Sequence, residues 1–462
     1  MADADPTEAI PLAPLPVAGQ AISRGRLVLL FMVMLVTAAG NTAMQSVMPS
    51  IGTALQVDDV WISLAYTWSA LLWVTCAPMW AKRSDKRGRK AMMALGMVGF
   101  ISSMTLCGIA LQLGLAGVLT AFWTLVLFAL CRSLYGLLGS AAPPAVQAYV
   151  ASRTPRSERT QALALVASSF GLGTVLGPAL APLLLFPGTG LTGPFYAFAA
   201  VAVVVLIALR LRLPNDEPQF AARGRAFDAP YGSGAGRHVR DSDRSEDDEE
   251  DSGEMQAASD SEPPELKWTD KRLLPWMVAG LLGGHAQAMI LGISGFLVLD
   301  RLHLRDTPEA GAGPVGIVLM VGAVATLLAQ WGLIPTLRLG PKASTLWGML
   351  LAIVGVAIIA VAQDLHAIAL GFAVASLGFG LYRPGFTAGS SLAVTRPEQG
   401  QVSGKVASIN GASYIYAPAL GVWLYGHSDW LGFAVIIGFC LAVFALGHRS
   451  LQSDEYLTRD RG

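Results

Sequence analysis

Apolar runs of about twenty residues alternate with short charged knots along most of this chain, the spacing a bilayer imposes. Trp61–Trp80 and Ala91–Ala116 hold no charged residue, and the ten residues between them, Ala81-Lys-Arg-Ser-Asp-Lys-Arg-Gly-Arg-Lys90, hold seven. A hydrocarbon core about 30 Å thick is crossed by roughly 20 apolar residues in a helix. The pattern therefore predicts membrane spans joined by polar turns. Counting them gives twelve, near 26–48, 61–81, 91–113, 118–150, 160–187, 190–212, 272–299, 313–337, 343–363, 366–394, 402–425 and 430–447. Several are long enough to require tilt or an extension into solvent. The connection between spans 5 and 6 is short and rests on Pro187, Gly188 and Gly190.

Composition agrees. Charged residues make up 14% of the chain, against roughly 25% in soluble domains. The formal net charge of zero conceals strong segregation into loops. Cys76, Cys107, Cys131 and Cys440 all fall in apolar runs and read as small buried residues, not as disulfides or metal ligands. Met1–Gln20 is proline-rich and lacks the basic start and cleavage site of a signal peptide, so span 1 is expected to serve as an uncleaved insertion signal. Pro214–Lys267, with the acidic run Asp241–Asp251, has too little apolar content to offset its ordering entropy and reads as a disordered linker.

Lysine and arginine follow alternate loops: Arg24 and Arg26, the 2–3 loop, Arg153, Arg156 and Arg159, Arg338 and Lys342, Arg396 and Lys405. By the positive-inside rule both termini and the linker are cytoplasmic. The 7–8 loop is the exception, where Arg301 and Arg305 stand with Asp300, Asp306 and Glu309 on the side otherwise poor in basic residues. The expected fold class is an all-α integral membrane protein of about twelve transmembrane helices in two six-helix halves. Its expected division is a cytoplasmic tail over 1–25, a bundle over 26–213, the linker over 214–268, a second bundle over 269–448 and a cytoplasmic tail over 449–462. Two halves in parallel repeat are the plan of a secondary transporter.

The 2–3 loop resembles the signature of the major facilitator superfamily. Asp85, Lys86, Gly88, Arg89 and Lys90 match it, while Ala81 stands where the family usually has glycine. Arg132, Gly136 and Gly139 in span 4 look like the family's second motif, an intramembrane arginine followed by small residues. Gly171, Gly173, Gly177 and Pro178 in span 5 resemble the glycine-proline motif of its drug:proton antiporter branch, which includes tetracycline and multidrug exporters. The resemblance implies a transporter working by alternating access, with the 2–3 loop as a conformational latch between the halves on the cytoplasmic side. Ordinary close packing accounts for the glycines taken alone, but not for all three motifs in order.

Two departures matter. Ser152 occupies the place where the branch usually ends helix 4 with an acid, so the latch is expected to rely on Asp85. No Asp or Glu lies inside any predicted span, although antiporters of this branch commonly carry an embedded carboxylate. The coupling candidates are therefore Arg132, His285 and Arg383, with Asp300 at the outer end of span 7 as a fallback. An unpaired arginine at membrane depth costs at least about 3 kcal/mol and faces the bundle interior, in a packing or a coupling role. His285 is the group that can change charge near physiological pH, although a lone histidine on an apolar helix is commonly a hydrogen-bonded packing residue.

Asn41, Gln45, Gln287, Asn410, Tyr414 and Tyr416 are the substrate-cavity candidates. No P-loop, metal cluster or nucleophile elbow is present, so neither an enzyme, nor a cofactor, nor nucleic-acid binding is expected. The expected function is transport of a small amphipathic or anionic molecule across a bacterial inner membrane by a monomer, most simply proton-coupled efflux. A proton-independent facilitator or anion exchanger is the alternative, and a non-transporting sensor a remote one.

Overall fold

Away from water the backbone must satisfy its own N–H and C=O groups, so the apolar runs fold as long helices. The computed structural model describes residues 22–153, 156–214, 266–395 and 398–458. Its helices are α1 (Arg24–Ala54), α2 (Asp59–Arg87), α3 (Arg89–Leu115), α4 (Ala121–Leu137), α5 (Ala142–Arg153), α6 (Arg156–Leu180) and α7 (Gly193–Arg212) before the linker. After it come α8 (Leu274–Arg301), α9 (Pro308–Leu327), α10 (Ile334–Leu337), α11 (Pro341–Val361), α12 (Leu365–Leu392), α13 (Gln399–His427), α14 (Asp429–Ser450) and the short α15 (Asp454–Thr458).

With α4 running into α5 and α9 into α10, the described residues form twelve rods. Ten of these are long and apolar enough to cross a membrane by length and composition. This is an all-helical, multi-pass membrane protein. The linker lies almost wholly outside the described residues, which resume at Leu266.

Two rods are interrupted where one continuous span was expected. Pro143 and Pro144 supply no N–H, so α4 stops at Leu137 and a 3₁₀ turn over Gly139–Ala141 leads into α5. A π turn over Leu328–Leu333 separates α9 from α10.

The rods run up and down, so charges collect on two faces. Arg24, Arg83, Arg87, Arg210, Arg212 and Lys342 mark the basic face; Asp58, Asp59, Asp300, Asp306, Asp364 and Asp429 mark the acidic face. Lys90 Nζ donates to Arg210 O at 2.9 Å, tying the start of α3 to the end of α7. At the same face Asp454 receives the Lys342 and Ala343 backbone N–H groups at 2.7 and 3.1 Å. It thereby caps the first turn of α11 from the C-terminal tail.

Close seams run between the first six and the last six rods. A methyl group on Gly316 of α9 would sit 2.7 Å from Pro178 O, and one on Gly295 of α8 would sit 2.4 Å from the Pro49 ring of α1. Gly411 of α13 meets Val74 of α2. Small residues at these points let backbones approach where lipid offers no hydrophobic drive between helices.

Candidate transport site and charged contacts

Arg132 sits about three turns inside α4 and is 3% exposed. Its Nη2 donates to Asn41 Oδ1 on α1, and its Cζ lies 4.4 Å from the centre of the Tyr135 ring. Nε and Nη1 have no hydrogen-bond partner among the described residues. Tyr135 is in turn held by Trp73 and Phe100, with ring centres 5.0 and 5.6 Å away. The guanidinium is thus fixed by one amide and a set of aromatic rings, with no carboxylate in contact among the described residues. Such a charge, deep in a bundle, stays costly unless a second acceptor reaches it.

In the second half His285 is buried between α8, α13 and α14. Its Nδ1 lies 2.7 Å from Leu281 O, its Nε2 2.5 Å from Tyr416 Oη, and Phe439 packs against the ring. A carbonyl can only accept, so Nδ1 carries the proton and, in the neutral ring, Nε2 accepts from the Tyr416 hydroxyl. The imidazole is therefore satisfied as it stands. Arg383 on α12 is half-buried, its Cζ 5.8 Å from the Tyr414 ring of α13. Asn41, Gln45, Gln287, Asn410 and Tyr414 are half-buried, and Tyr416 is exposed apart from its bonded hydroxyl.

The glycines divide by partner. Gly173 and Gly177 of α6 lie on α1, where Thr42 Oγ1 donates to Gly173 O at 3.1 Å, while Gly171 faces Leu327 of α9. Pro178 presents its carbonyl to Gly316. Gly136 packs on Ser69 of α2, whereas Gly139 lies in the 3₁₀ turn and so leaves the helical face shared by Arg132 and Gly136.

The 2–3 connection is tighter than a loop. α2 continues to Arg87, α3 starts at Arg89, and Gly88 alone joins them with φ 88° and ψ 140°, a conformation open in practice only to glycine. The side chains of Ala81, Lys82, Asp85, Lys86 and Ser152 lie outside the described residues, and with them the proposed latch contact.

A charged cluster unforeseen in the sequence joins the halves at the acidic face. Arg305, in the turn after α8, clasps Asp59 at the start of α2 with Nη1–Oδ1 2.8 Å and Nη2–Oδ2 2.7 Å. Its Nε donates to Asp300 Oδ1 at 2.7 Å and its Nη1 also reaches Thr53 Oγ1 at 3.1 Å. Tyr425 Oη donates to Asp300 Oδ2 at 3.0 Å. Hydrogen bonds from Arg305 to Asp59, and then to Asp300, hold the guanidinium well above its already high range, so it stays charged. The sequence signal was the anomalous basic pair in the 7–8 loop.

A second cluster lies at the basic face, wholly within the last six rods. Arg272 Nη2 meets Asp270 and Glu398, each at 2.8 Å. This pairing lowers both carboxyl groups below their usual range, Arg272 being the leading cause in each case. Among the described residues no cluster of His, Cys, Asp or Glu could hold a metal ion.

A family model described as Major Facilitator Superfamily matches residues 30–338. An actinorhodin transporter of Streptomyces coelicolor, so named with the qualifier probable, is 31% identical over 197 residues, 40% of this chain and 31% of that protein. The multidrug resistance protein MdtG of Citrobacter koseri is 31% identical over 149 residues, 32% of this chain and 33% of that protein. The chain thus matches about a third of the length of these curated relatives. A bacterial homologue of the human lysosomal transporter Spinster, solved inward-facing and unoccupied, superposes with a TM-score of 0.64 at 13% identity, over 94% of this chain and 98% of that one. The likeness to it is one of fold.

Proposed function

We propose that this chain, which belongs to the Major Facilitator Superfamily, exports a small amphipathic or anionic molecule in exchange for protons. One observation carries the reading: the stretches of sequence similarity lead to proteins named for actinorhodin transport and multidrug resistance. In it, residues 26–213 and 269–448 rock as two bundles around a central site, with the linker 214–268 joining them. The basic face is cytoplasmic, by the positive-inside rule, in a bacterial inner membrane. Arg132 and Arg383 favour cargo with a negative group, because neither has a carboxylate in contact among the described residues. The amides and tyrosines nearby can bond varied cargo without fixing one shape. The 2–3 connection, with Asp85, Lys86, Gly88, Arg89 and Lys90, serves as the cytoplasmic latch.

The test is flux by the purified full-length chain in liposomes with an imposed pH gradient, over a panel of amphipathic anions and cations. Anion efflux that accelerates with inward proton flow is the expected result. Flux indifferent to the gradient overturns proton coupling. It would favour the second reading, a facilitator or organic-anion exchanger, which draws on the absence of Asp and Glu from the span interiors.

A further inference from the structure

A proton-coupled transporter needs a group that binds the proton and changes the balance between conformations as it does so. The interiors of the spans hold no Asp or Glu, and the contacts of His285, with Leu281, Ser413, Tyr416 and Phe439, all lie within the last six rods. The carboxylates at the boundary between the halves must then be weighed, and two of them, Asp59 and Asp300, converge on Arg305.

Opening the acidic face must part Thr53 and Asp59, carried by α1 and α2, from Arg305 and Asp300, carried by α8 and the turn after it. Three bonds cross that boundary, from Arg305 Nη1 and Nη2 to the two Asp59 oxygens and to Thr53 Oγ1. The bond from Arg305 Nε to Asp300 does not cross it, and neither does the one from Tyr425. The two aspartates therefore have different tasks. Asp59 closes the clasp, and Asp300 aims the guanidinium at it.

The cluster also carries a surplus of negative charge, since two carboxylates share one guanidinium and Asp58 stands next to Asp59. Beyond these, Arg301 and Asp429 face the Tyr425 and Asp300 side and pair with each other at 3.0 Å. Asp59 keeps 21% of its side-chain surface exposed, so solution on the acidic side reaches it.

We infer that Asp59 is the proton-binding group of a gate on the acidic face, with Arg305 as its counter-charge and Asp300 as a positioning residue. A proton from the solution binds a carboxylate oxygen of Asp59, and no other covalent bond forms or breaks. The bidentate ion pair becomes a single hydrogen bond to a neutral acid, which is roughly half as strong, and the acidic face is released. Loss of the proton restores the pair and closes it. The inference rests on the proton-coupled reading above and gives that cycle a pH-sensitive gate on one face.

Spin labels at Val118→Cys and His366→Cys, both exposed on acidic-face connections of opposite halves, report the opening. They are placed in the full chain after Cys76, Cys107, Cys131 and Cys440 are changed to Ala. Distance distributions between them are recorded in liposomes at about pH 8 and about pH 4, the second at the ordinary carboxylate range. The long-distance fraction is expected to rise about threefold or more at the acid end. With Asp59→Asn it is expected to be high at both values, with a ratio near unity. Asp300→Asn is expected to lose part of the closed population and keep a pH response. Distances indifferent to pH in the parent chain, or a full pH response in Asp59→Asn, overturn the gate. Should Asp59→Asn fail to fold, the parent measurement still decides. Proton-driven flux with pH-indifferent distances refutes the gate and leaves proton coupling; pH-sensitive distances without proton-driven flux do the reverse.

Discussion

The two faces of the molecule carry charge in opposite styles. At the basic face the charges are contiguous in sequence, seven of them in Ala81–Lys90, and a single residue, Gly88, turns the chain between two helices. At the acidic face the charges are sparse and far apart in sequence: Arg305 and Asp59 are separated by 246 positions, yet meet through two short bonds. A local motif fixes a hairpin, whereas a long-range ion pair fixes the relation of one bundle to the other. The first is a constraint on shape and the second a constraint on conformational state, and the two should fail differently.

The largest effect is expected from breaking the second. Arg305→Gln leaves Asp59 and Asp300 without a counter-charge, and cargo flux should fall at least about tenfold, equivalent to about 1.4 kcal/mol. Raised salt should slow the parent less than the mutation does, because the pair is half-buried. Flux at the parent level would remove the clasp from the transport cycle.

Next, Gly316→Val asks whether the acidic face closes by charge or by fit. The added carbons must displace Pro178 O and the Pro182 ring, an overpacking cost of about 1–3 kcal/mol. The loss of melting temperature should be several degrees and should not depend on pH. A pH-dependent loss would tie the seam to the charge cluster.

On the basic face, Gly88→Ala places a Cβ at φ 88° and ψ 140° and should cost about 1–3 kcal/mol through backbone strain alone. Folded yield and melting temperature should fall while the pH profile of flux keeps its shape; a displaced profile would make this turn part of the coupling machinery. The smallest effect concerns Arg272, Asp270 and Glu398. Both carboxyl groups are lowered by Arg272, so their contribution is present above the unfolded values of 4.5 for Glu398 and 3.8 for Asp270 and disappears as pH falls below them. The parent's melting temperature should decline below about pH 4.5, and Glu398→Gln should flatten that decline. An equally steep decline in the mutant would place the acid sensitivity elsewhere.

The helices were legible because a bilayer enforces length and apolarity together, and each of the twelve expected spans corresponds to an observed rod. The interruptions are not part of that signal: an apolar run reads the same through Pro143 and Pro144, where α4 gives way to a 3₁₀ turn, and through the π turn at Leu328–Leu333. Arg132 could be chosen because a charge inside an apolar run stands out, yet its acceptor, Asn41, lies 91 positions away, and pairing across that distance depends on packing. His285 was conspicuous for the same reason, and its partners, Leu281, Ser413 and Tyr416, are again set by packing. The clasp of Arg305 was hinted at only by charges on the side otherwise poor in them. Charge counts find sidedness, not partners.

The tail beyond α14 has a practical bearing. Asp454 supplies two acceptors to the opening turn of α11, and Lys342 Nζ answers by donating to His448 O and Leu451 O. A purification tag or fluorescent fusion joined at Ser450 would delete that carboxylate and expose two backbone donors about a hundred residues upstream of the junction. Fusions should follow Thr458 instead, because the final helix is part of the fold to which they would be attached.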